Sequence, residues 1–175
     1  MANTQPEPNV EIRHIEDSDY EAVADIYRND LVLANTTQVP FRTGAFWRDF
    51  YSAGNPQNVE LVALYGGTIT GHLGILLNQN IRRRHVASFG IAVHPEYHGM
   101  GIGNAMMETL IDLADNWLNL VKVELAVNSA NKIAIGLYKK FGFEVEGEAK
   151  YDVYHGGQYT HSLKMARFRP NFPKT

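Results

Sequence analysis

Cysteine is absent from the sequence of 175 residues, and so is any long hydrophobic run. Without cysteine the chain cannot form disulfide bonds, bind metal through thiolates or use a cysteine nucleophile. A membrane-spanning helix needs about 18 consecutive apolar residues, and no segment reaches that length. These absences exclude disulfide-stabilised folds, thiolate metal centres and cysteine hydrolases, and they predict a protein with no membrane partner.

Positive charge is also scarce, because 16 Lys and Arg residues stand against 19 Asp and Glu residues, for a net charge of −3. Nucleic-acid-binding domains usually carry a strongly basic surface. The one run of three basic residues, Arg82 to Arg84, is short and isolated in an acidic chain. We therefore expect no nucleic-acid partner.

The length and composition predict a single globular domain. A hydrophobic fraction of 45% and a charged fraction of 20% are ordinary for such a domain. Residues 1–9 are polar and lack the basic and apolar regions of a signal peptide. We expect residues 1–9 to form a flexible N-terminal tail, residues 10–170 to form one domain, and the protein to be cytoplasmic.

Strand-like and helix-like patterns alternate from Val10 onwards in the order β-α-α-β-β-β-α-β-α-β-β. This order is typical of an α/β (α+β) protein in which helices pack against a mixed sheet. Gly66-Gly67 lies between two apolar runs and predicts a hairpin, because a type I′ turn needs positive φ at both central positions. His155 to Gln158 predicts a second hairpin for the same reason. Leu31 to Phe41, between the first two helices, is expected to be irregular.

Apolar residues at spacings of three and four predict two further amphipathic helices. The first is expected to bury Ile102, Met106, Leu110, Leu113 and Trp117. The second is expected to bury Ile133, Leu137 and Phe141. Each helix follows a predicted strand, so both are expected to lie against the sheet.

Three glycines alternate over Gly99 to Gly103, where a predicted strand has ended and a helix begins. Glycine lets the backbone bend sharply and leaves its N–H groups uncovered by side chains. The N-terminus of a helix also favours anions through its dipole. The segment therefore predicts a phosphate or pyrophosphate site, and the alternative is a glycine turn that only begins a helix.

Two common phosphate-binding patterns do not fit this segment. The P-loop pattern G-x-x-x-x-G-K-[ST] does not occur in the chain, and the dinucleotide fingerprint G-x-G-x-x-G has a different spacing and place in the fold. His98-Gly99-Met100-Gly101-Ile102-Gly103 is instead similar to the acyl-CoA loop [Q/R]-x-x-G-x-[G/A] of the GNAT acetyltransferases. Here His98 takes the place of the first Gln or Arg.

A second motif lies downstream, from Asn131 to Phe143, and resembles the GNAT signature N-x-x-A-x-x-L-Y-x-x-x-G-F. The resemblance extends over nearly the whole chain from Val10 and is greatest to the bacterial L-amino-acid N-acetyltransferase subgroup. It implies a mixed, mostly antiparallel sheet of about seven strands, flanked by helices and splayed at a cleft for acetyl-CoA. It also implies direct transfer of an acetyl group from acetyl-CoA, the co-substrate, to an amine.

The resemblance further implies roles for individual residues. The cofactor-binding set that it implies is Ile91, Ala92 and Val93 for the pantetheine arm, His98, Gly99, Met100, Gly101, Ile102, Gly103 and Asn104 for the pyrophosphate, and Asn131 and Tyr138. Tyr138 is expected to act as general acid to the CoA thiolate. Many family members carry a glutamate base on the fourth strand, where this chain has Ser88. We expect a water chain through Ser88, or a relay by His72 or His85, to replace it.

The acceptor site implied by the family lies under the loop after the first helix and near the last hairpin. The residues expected there are Asn35, Thr36, Gln38, Phe41, His72 and Tyr154. Their mixture of polar and apolar groups predicts a small amine with an apolar side chain, such as L-methionine or L-phenylalanine. The alternatives are a polyamine, a protein or peptide N-terminus, or a non-catalytic acyl-CoA-binding module. We assign no metal, and the family suggests a homodimer.

Overall fold

A computed structural model describes residues 9–172 of the protein. The strands and helices are β1 (Val10–His14), α1 (Tyr20–Arg28), α2 (Asp30–Ala34), α3 (Gly44–Ser52), β2 (Val59–Tyr65), β3 (Thr68–Leu77), β4 (Val86–Val93), α4 (Ile102–Asp112), β5 (Lys122–Asn128), α5 (Lys132–Lys140), β6 (Glu144–His155) and β7 (Gln158–Phe168). The predicted order of elements is confirmed, with one helix added. The tail predicted over residues 1–9 lies outside the described residues, except for its last residue.

The seven strands form one mixed sheet in the order β1-β2-β3-β4-β5-β7-β6. Neighbouring strands are antiparallel except β4 and β5, which are parallel. Both glycine hairpins have the expected geometry, with φ of 58° and 80° at Gly66 and Gly67 and of 57° and 85° at Gly156 and Gly157. The fold class expected from the resemblance is therefore confirmed.

Helices cover the sheet on both faces, because side chains alternate between the two sides of each strand. On one face, strand residues such as Leu73 and Phe89 pack with Met106 and Leu110 of α4. On the other face, residues such as Val62 and Ala92 pack with the aromatic side chains of α1 and α3. No helix in the described part of the chain is long and apolar enough to cross a membrane.

The segment expected to be irregular contains the short helix α2. Asn29 starts it, because its side-chain oxygen accepts a hydrogen bond from the N–H of Leu31 at 3.2 Å. The helix buries Val32 and Leu33. The prediction is wrong at this point because one turn of helix is too short to show a periodic pattern.

Two predicted core positions are also wrong. Trp117 is 75% exposed because α4 continues into one π-type turn, in which the N–H of Leu118 bonds to the carbonyl of Leu113 at 2.8 Å. That turn changes the helical phase, so that Ala114 is buried and Trp117 faces solvent. Ile133 is 85% exposed because α5 turns Ile135 and Tyr138 towards the sheet.

The close approach of α4 to β3 at Gly71 generates a test of the packing. A Cβ atom at Gly71 would lie 2.8 Å from Met106 Cε and 3.1 Å from Ile102 Cγ2. Both side chains are fully buried, so we expect Gly71→Ala to lower the free energy of unfolding by about 1–3 kcal/mol through overpacking. Urea unfolding followed by circular dichroism measures this change.

Gly136→Ala is the matched control, because Gly136 lies inside α5 and a Cβ there would meet no atom within 4 Å. We expect this control to raise the free energy of unfolding by about 0.5–1 kcal/mol, since alanine favours the helix. If Gly71→Ala were as stabilising as the control, α4 could not lie as close to β3 as described.

Candidate active site

A gap in the sheet lies between the parallel strands β4 and β5. The two strands pair only from Val86 to Ser88 on β4 and from Lys122 to Glu124 on β5. Beyond these residues β4 continues to Val93 and β5 continues to Asn128 without pairing to each other. One edge of β4 from residue 89 to residue 93 is therefore free. The backbone groups of Ile91 and Val93 point to it, whereas those of Ala92, between them, point to β3. A free strand edge can bind an extended ligand that carries amide groups.

The N-terminus of α4 lies just after this free edge. Gly101 is its N-cap and has a left-handed backbone with φ of 81°, and no side chain caps the helix. Ala105 makes the first intrahelical hydrogen bond, to the carbonyl of Gly101 at 3.0 Å. The N–H groups of Ile102, Gly103 and Asn104 precede that bond and have no partner within the helix.

The space outside the glycine loop is open. A Cβ atom at Gly99 or Gly101 would meet no protein atom within 4 Å. Both glycines have φ near 80°, which favours glycine over every other residue. Bare amides at a helix N-terminus beside open space form a group that can bind an anion such as a diphosphate.

Two side chains tie this loop to its surroundings. His98 Nε2 lies 3.1 Å from the carbonyl oxygen of Val93, so the ring of His98 fixes the loop to the end of β4. Lys140, in the last turn of α5, donates from Nζ to Asn104 Oδ1 at 2.7 Å. A cation therefore stands beside the first turn of α4. No motif points to Lys140, since exposed lysines are common at helix C-termini.

Asn131 and Tyr138, the two other predicted cofactor-binding residues, lie at the start of helix α5 and within it, respectively. Asn131 caps α5, with its Oδ1 accepting a hydrogen bond from the N–H of Ala134 at 3.1 Å. Tyr138 is 7% exposed, and its ring packs edge-on against Phe89, the first residue of β4 beyond the pairing with β5. Burial raises the pKa of Tyr138 to about 12. The phenol therefore keeps its proton throughout the neutral range.

Ser88 is the last residue of β4 that pairs with β5, and it stands opposite Glu124. The Glu124 carboxylate is held by two cations, Arg83 at 3.1 Å and Lys122 at 3.2 Å. Ser88 is partly buried. The structure thus places Ser88 where the gap opens.

His72 lies on the face of the sheet that α1 and α3 cover, and it is 1% exposed. Its Nε2 lies 3.0 Å from Glu60 Oε2, and its Nδ1 lies 3.0 Å from the Tyr27 hydroxyl. Both ring nitrogens are therefore engaged within the protein. Burial raises the pKa of Glu60, and the bond to His72 opposes this rise. No motif points to Glu60, because a single acidic residue in a strand matches no pattern.

The remaining predicted acceptor residues lie in two separate segments. In the loop after α2, Asn35 Nδ2 donates to the carbonyl of Leu31 at 2.9 Å and Thr36 Oγ1 accepts from the N–H of Gln38 at 3.4 Å. Phe41, in the same loop, is 91% exposed. Ala34, the last residue of α2, accepts a hydrogen bond from Asn128 Nδ2 at 3.5 Å, which connects the end of α2 to the end of β5.

Tyr154 lies on the edge strand β6, where it is exposed. Its ring centroid is 5.0 Å from that of Tyr159 across the hairpin. Within the described residues 9–172, no group of three or more His, Asp or Glu side chains is arranged to hold a metal ion.

Comparison with known proteins relates this geometry to one family. The model of the acetyltransferase (GNAT) family matches residues 11–143. An L-amino acid N-acetyltransferase of Escherichia coli (strain K12) is 40% identical over 158 residues, which cover 90% of this chain and 97% of that relative. A spermidine N(1)-acetyltransferase of the same organism is 28% identical over 166 residues, covering 94% of this chain and 88% of that relative.

A solved structure has the same fold. The spermidine N-acetyltransferase from Vibrio cholerae, in complex with CoA and spermine, superposes with a TM-score of 0.81 at 21% identity. The match covers 91% of this chain and 95% of that one. The two chains therefore share one fold over almost their full length.

Proposed function

Because the chain belongs to the acetyltransferase (GNAT) family and is an N-acetyltransferase that uses acetyl-CoA, we propose that it acetylates the amino group of an L-amino acid with an apolar side chain. The observation that carries this choice of acceptor is the 40% identity, over 90% of the chain, to an L-amino acid N-acetyltransferase. The homodimer expected from the resemblance and the cytoplasmic location expected from the sequence stay predictions.

The residues around the gap fit coenzyme A. We infer that the backbone N–H groups from Met100 to Asn104 hold the diphosphate, since they are uncapped and face open space. Lys140 adds positive charge beside them. The free edge of β4 from Ile91 to Val93 suits the amide groups of the pantetheine arm. The side-chain N–H groups of Asn131 remain available to that arm, because the cap uses only its oxygen.

Acetyl-CoA supplies an acetyl thioester, which an amine can attack without a protein nucleophile. The backbone N–H of Ile91, on the free edge of β4, is fixed in direction and can stabilise the negative charge that develops on the carbonyl oxygen. Tyr138 keeps its proton at neutral pH because burial raises its pKa to about 12. It can therefore give a proton to the leaving thiolate as general acid.

Arg42 is proposed to bind the carboxylate of the amino acid. It follows the loop from Leu31 to Phe41, which contains no Asp or Glu. Its Nε is buried and has no hydrogen-bond partner within the described part of the chain, and its guanidinium lies 3.9 Å from the centre of the Phe46 ring. A guanidinium with unused donors suits a carboxylate, and a cation at this place disfavours a polyamine.

Gly101→Val tests the diphosphate site. A side chain at residue 101 would enter the open space that the diphosphate needs, so we expect the affinity for acetyl-CoA to fall at least tenfold. Gly67→Val is the matched control, because Gly67 has φ of 80°, close to the 81° of Gly101, and equally empty surroundings. Both variants should lose similar stability through backbone strain, whereas only Gly101→Val should lose acetyl-CoA binding. Calorimetric titration that gives the same affinity for both variants would contradict the assignment.

Tyr138→Phe tests the general acid. Because the phenylalanine ring keeps the packing against Phe89 and removes only the hydroxyl, we expect kcat to fall by about 10²–10⁴-fold and acetyl-CoA affinity to change less than twofold. Steady-state rates and calorimetry measure the two quantities on the same samples. A parallel loss of rate and affinity would instead give Tyr138 a role in binding.

The acceptor is tested with a panel of amines, in which thiol release from acetyl-CoA reports transfer. We expect L-methionine and L-phenylalanine to react, and spermidine and a peptide with a free N-terminus to react poorly. Reaction with spermidine or with the peptide alone would replace the proposed acceptor. A panel without any thiol release would favour a non-catalytic acyl-CoA-binding module.

Arg42→Leu separates recognition of the carboxylate from recognition of the amine. We expect kcat/KM for the amino acid to fall about 10–100-fold, because a charged hydrogen bond contributes about 1.5–3 kcal/mol. The decarboxylated amine with the same side chain should lose nothing. Arg48→Leu, at an exposed arginine whose ion-pair partner is Asp49, is the control. Equal losses for both amines would exclude a carboxylate contact at Arg42.

A further inference from the structure

Three residues form a row across the centre of the sheet on the face covered by α1 and α3. Glu60 of β2 stands opposite Gly74 of β3, and Gly74 stands opposite Gly90 of β4. Cross-strand partners point to the same face of a sheet. The row therefore runs from the Glu60 carboxylate, over two residues without side chains, to the strand that borders the gap.

The Glu60 carboxylate lies over Gly74. A Cβ atom at Gly74 would be 2.7 Å from Glu60 Oε2 and 3.2 Å from Oε1, so the missing side chain is what makes room for the carboxylate. A Cβ atom at Gly90 would meet no protein atom within 4 Å, and Gly90 is exposed although it lies in a central strand. The two glycines thus leave a corridor from the carboxylate to the free part of β4.

One oxygen of this carboxylate is unused. Oε2 is bonded to His72 at 3.0 Å, whereas Oε1 is buried without a hydrogen-bond partner within residues 9–172. Glu60 as a whole is 7% exposed. A buried oxygen without a partner is energetically costly, and such groups in native proteins commonly mark a ligand or a proton-transfer role.

Within the described residues 9–172, no second carboxylate and no lysine or arginine acts on the Glu60 carboxylate. The titratable groups that act on it are His14 on β1, His72 on β3, Tyr20 and Tyr27 on α1 and Tyr51 on α3. The Tyr27 hydroxyl lies 3.0 Å from His72 Nδ1, so Tyr27, His72 and Glu60 are joined by two consecutive hydrogen bonds. Burial raises the pKa of Glu60, which strengthens its affinity for a proton.

We propose that Glu60 is the proton acceptor for the substrate amine, reached across Gly74 and Gly90, and that His72 and Tyr27 hold its carboxylate in place. This inference rests on the proposed function. Neighbouring strands are about 4.8 Å apart, a distance that one water molecule with two hydrogen bonds of about 2.8 Å can span. An amine above Gly90 can therefore pass its proton to Oε1 through a single water.

The proton and electron balance of the step is complete. The ammonium form of the substrate gives one proton to the Glu60 carboxylate, and the nitrogen lone pair then forms the C–N bond to the acetyl carbon. The C–S bond breaks, and its electron pair leaves on sulfur, which takes the proton of Tyr138. The nitrogen then loses a second proton, which passes through solvent to the tyrosinate, so the amide product is neutral. Glu60 releases the proton that it accepted to solvent, and both residues are restored.

Glu60 suits this role better than the carboxylate beside Ser88. Glu124 is the acidic residue opposite Ser88, but its two carboxylate oxygens are taken up by ion pairs with Arg83 at 3.1 Å and Lys122 at 3.2 Å. In the part of the chain that the structure describes, Glu60 has no cationic partner except His72 when that ring is protonated. A base that must take a proton from an ammonium group is more effective without such a competing charge.

Glu60→Gln tests the proposal in the full-length enzyme through the pH dependence of kcat/KM for L-methionine. We expect a loss of about 100-fold at pH 7, because the variant can use only the small fraction of amine that is already neutral. That fraction grows tenfold per pH unit, so the loss should shrink towards high pH. The affinity for acetyl-CoA should stay unchanged, and Glu11→Gln, at an exposed position on β1, should behave as wild type.

Gly90→Ala tests the corridor without touching the carboxylate. The added methyl meets no protein atom, so the variant should fold normally, but it occupies the space above β4. We expect at least a tenfold loss of kcat/KM at pH 7. Gly147→Ala, in strand β6 with equally open surroundings, is the control. Wild-type rates for Glu60→Gln, or a loss that is the same at every pH, would overturn the proposal.

Binding of L-methionine to the enzyme saturated with CoA gives a readout that needs no turnover. Calorimetry at pH 7 should show at least tenfold weaker binding to Glu60→Gln, because the ammonium group loses its anionic partner. Equal affinities for the variant and the wild type would count against Glu60. Failure of the proposed function is seen separately, as absence of thiol release by the wild type with every amine.

Discussion

The separation of β4 from β5 after three paired residues is the constraint on which the rest of the site depends. Were the two strands paired to their ends, the backbone from residue 89 to residue 93 would be satisfied within the sheet and closed to a ligand. The separation leaves that edge free. It also sets α4, which follows β4, and α5, which follows β5, on the two sides of one gap. The bare amides after Gly101 and the ring of Tyr138, which packs against Phe89 of β4, thereby lie beside the same strand.

The groups proposed to act as acid and as base lie on opposite faces of the sheet. On the face of α4 and α5, the structure offers amide donors, the cation Lys140 and a phenol that keeps its proton. On the face of α1 and α3, it offers a buried carboxylate with one unused oxygen, held by His72. A reaction between an acetyl thioester and an amine needs an acid on the side of the leaving sulfur and a base on the side of the entering nitrogen. Strand β4 lies between the two groups, so that the acid and the base face the gap from opposite sides of the sheet.

Local patterns in the sequence predict much of this arrangement. The glycine hairpins and the loop before α4 depend on residues close together in the chain, and the structure shows them where the sequence places them. Features that depend on the register between strands could not be predicted in the same way. The row of Glu60, Gly74 and Gly90 exists only because of two pairings across the sheet. Trp117 faces solvent because one π-type turn shifts the helical phase, and no periodic count of apolar residues includes such a turn.

A crystal structure of the protein with acetyl-CoA tests the central claim most directly. The account predicts that diphosphate oxygens lie within about 3.2 Å of the N–H nitrogens of Ile102, Gly103 and Asn104, with the thioester in the gap beside Gly90. A diphosphate bound elsewhere, or amides at the start of α4 covered by protein in the complex, would contradict it.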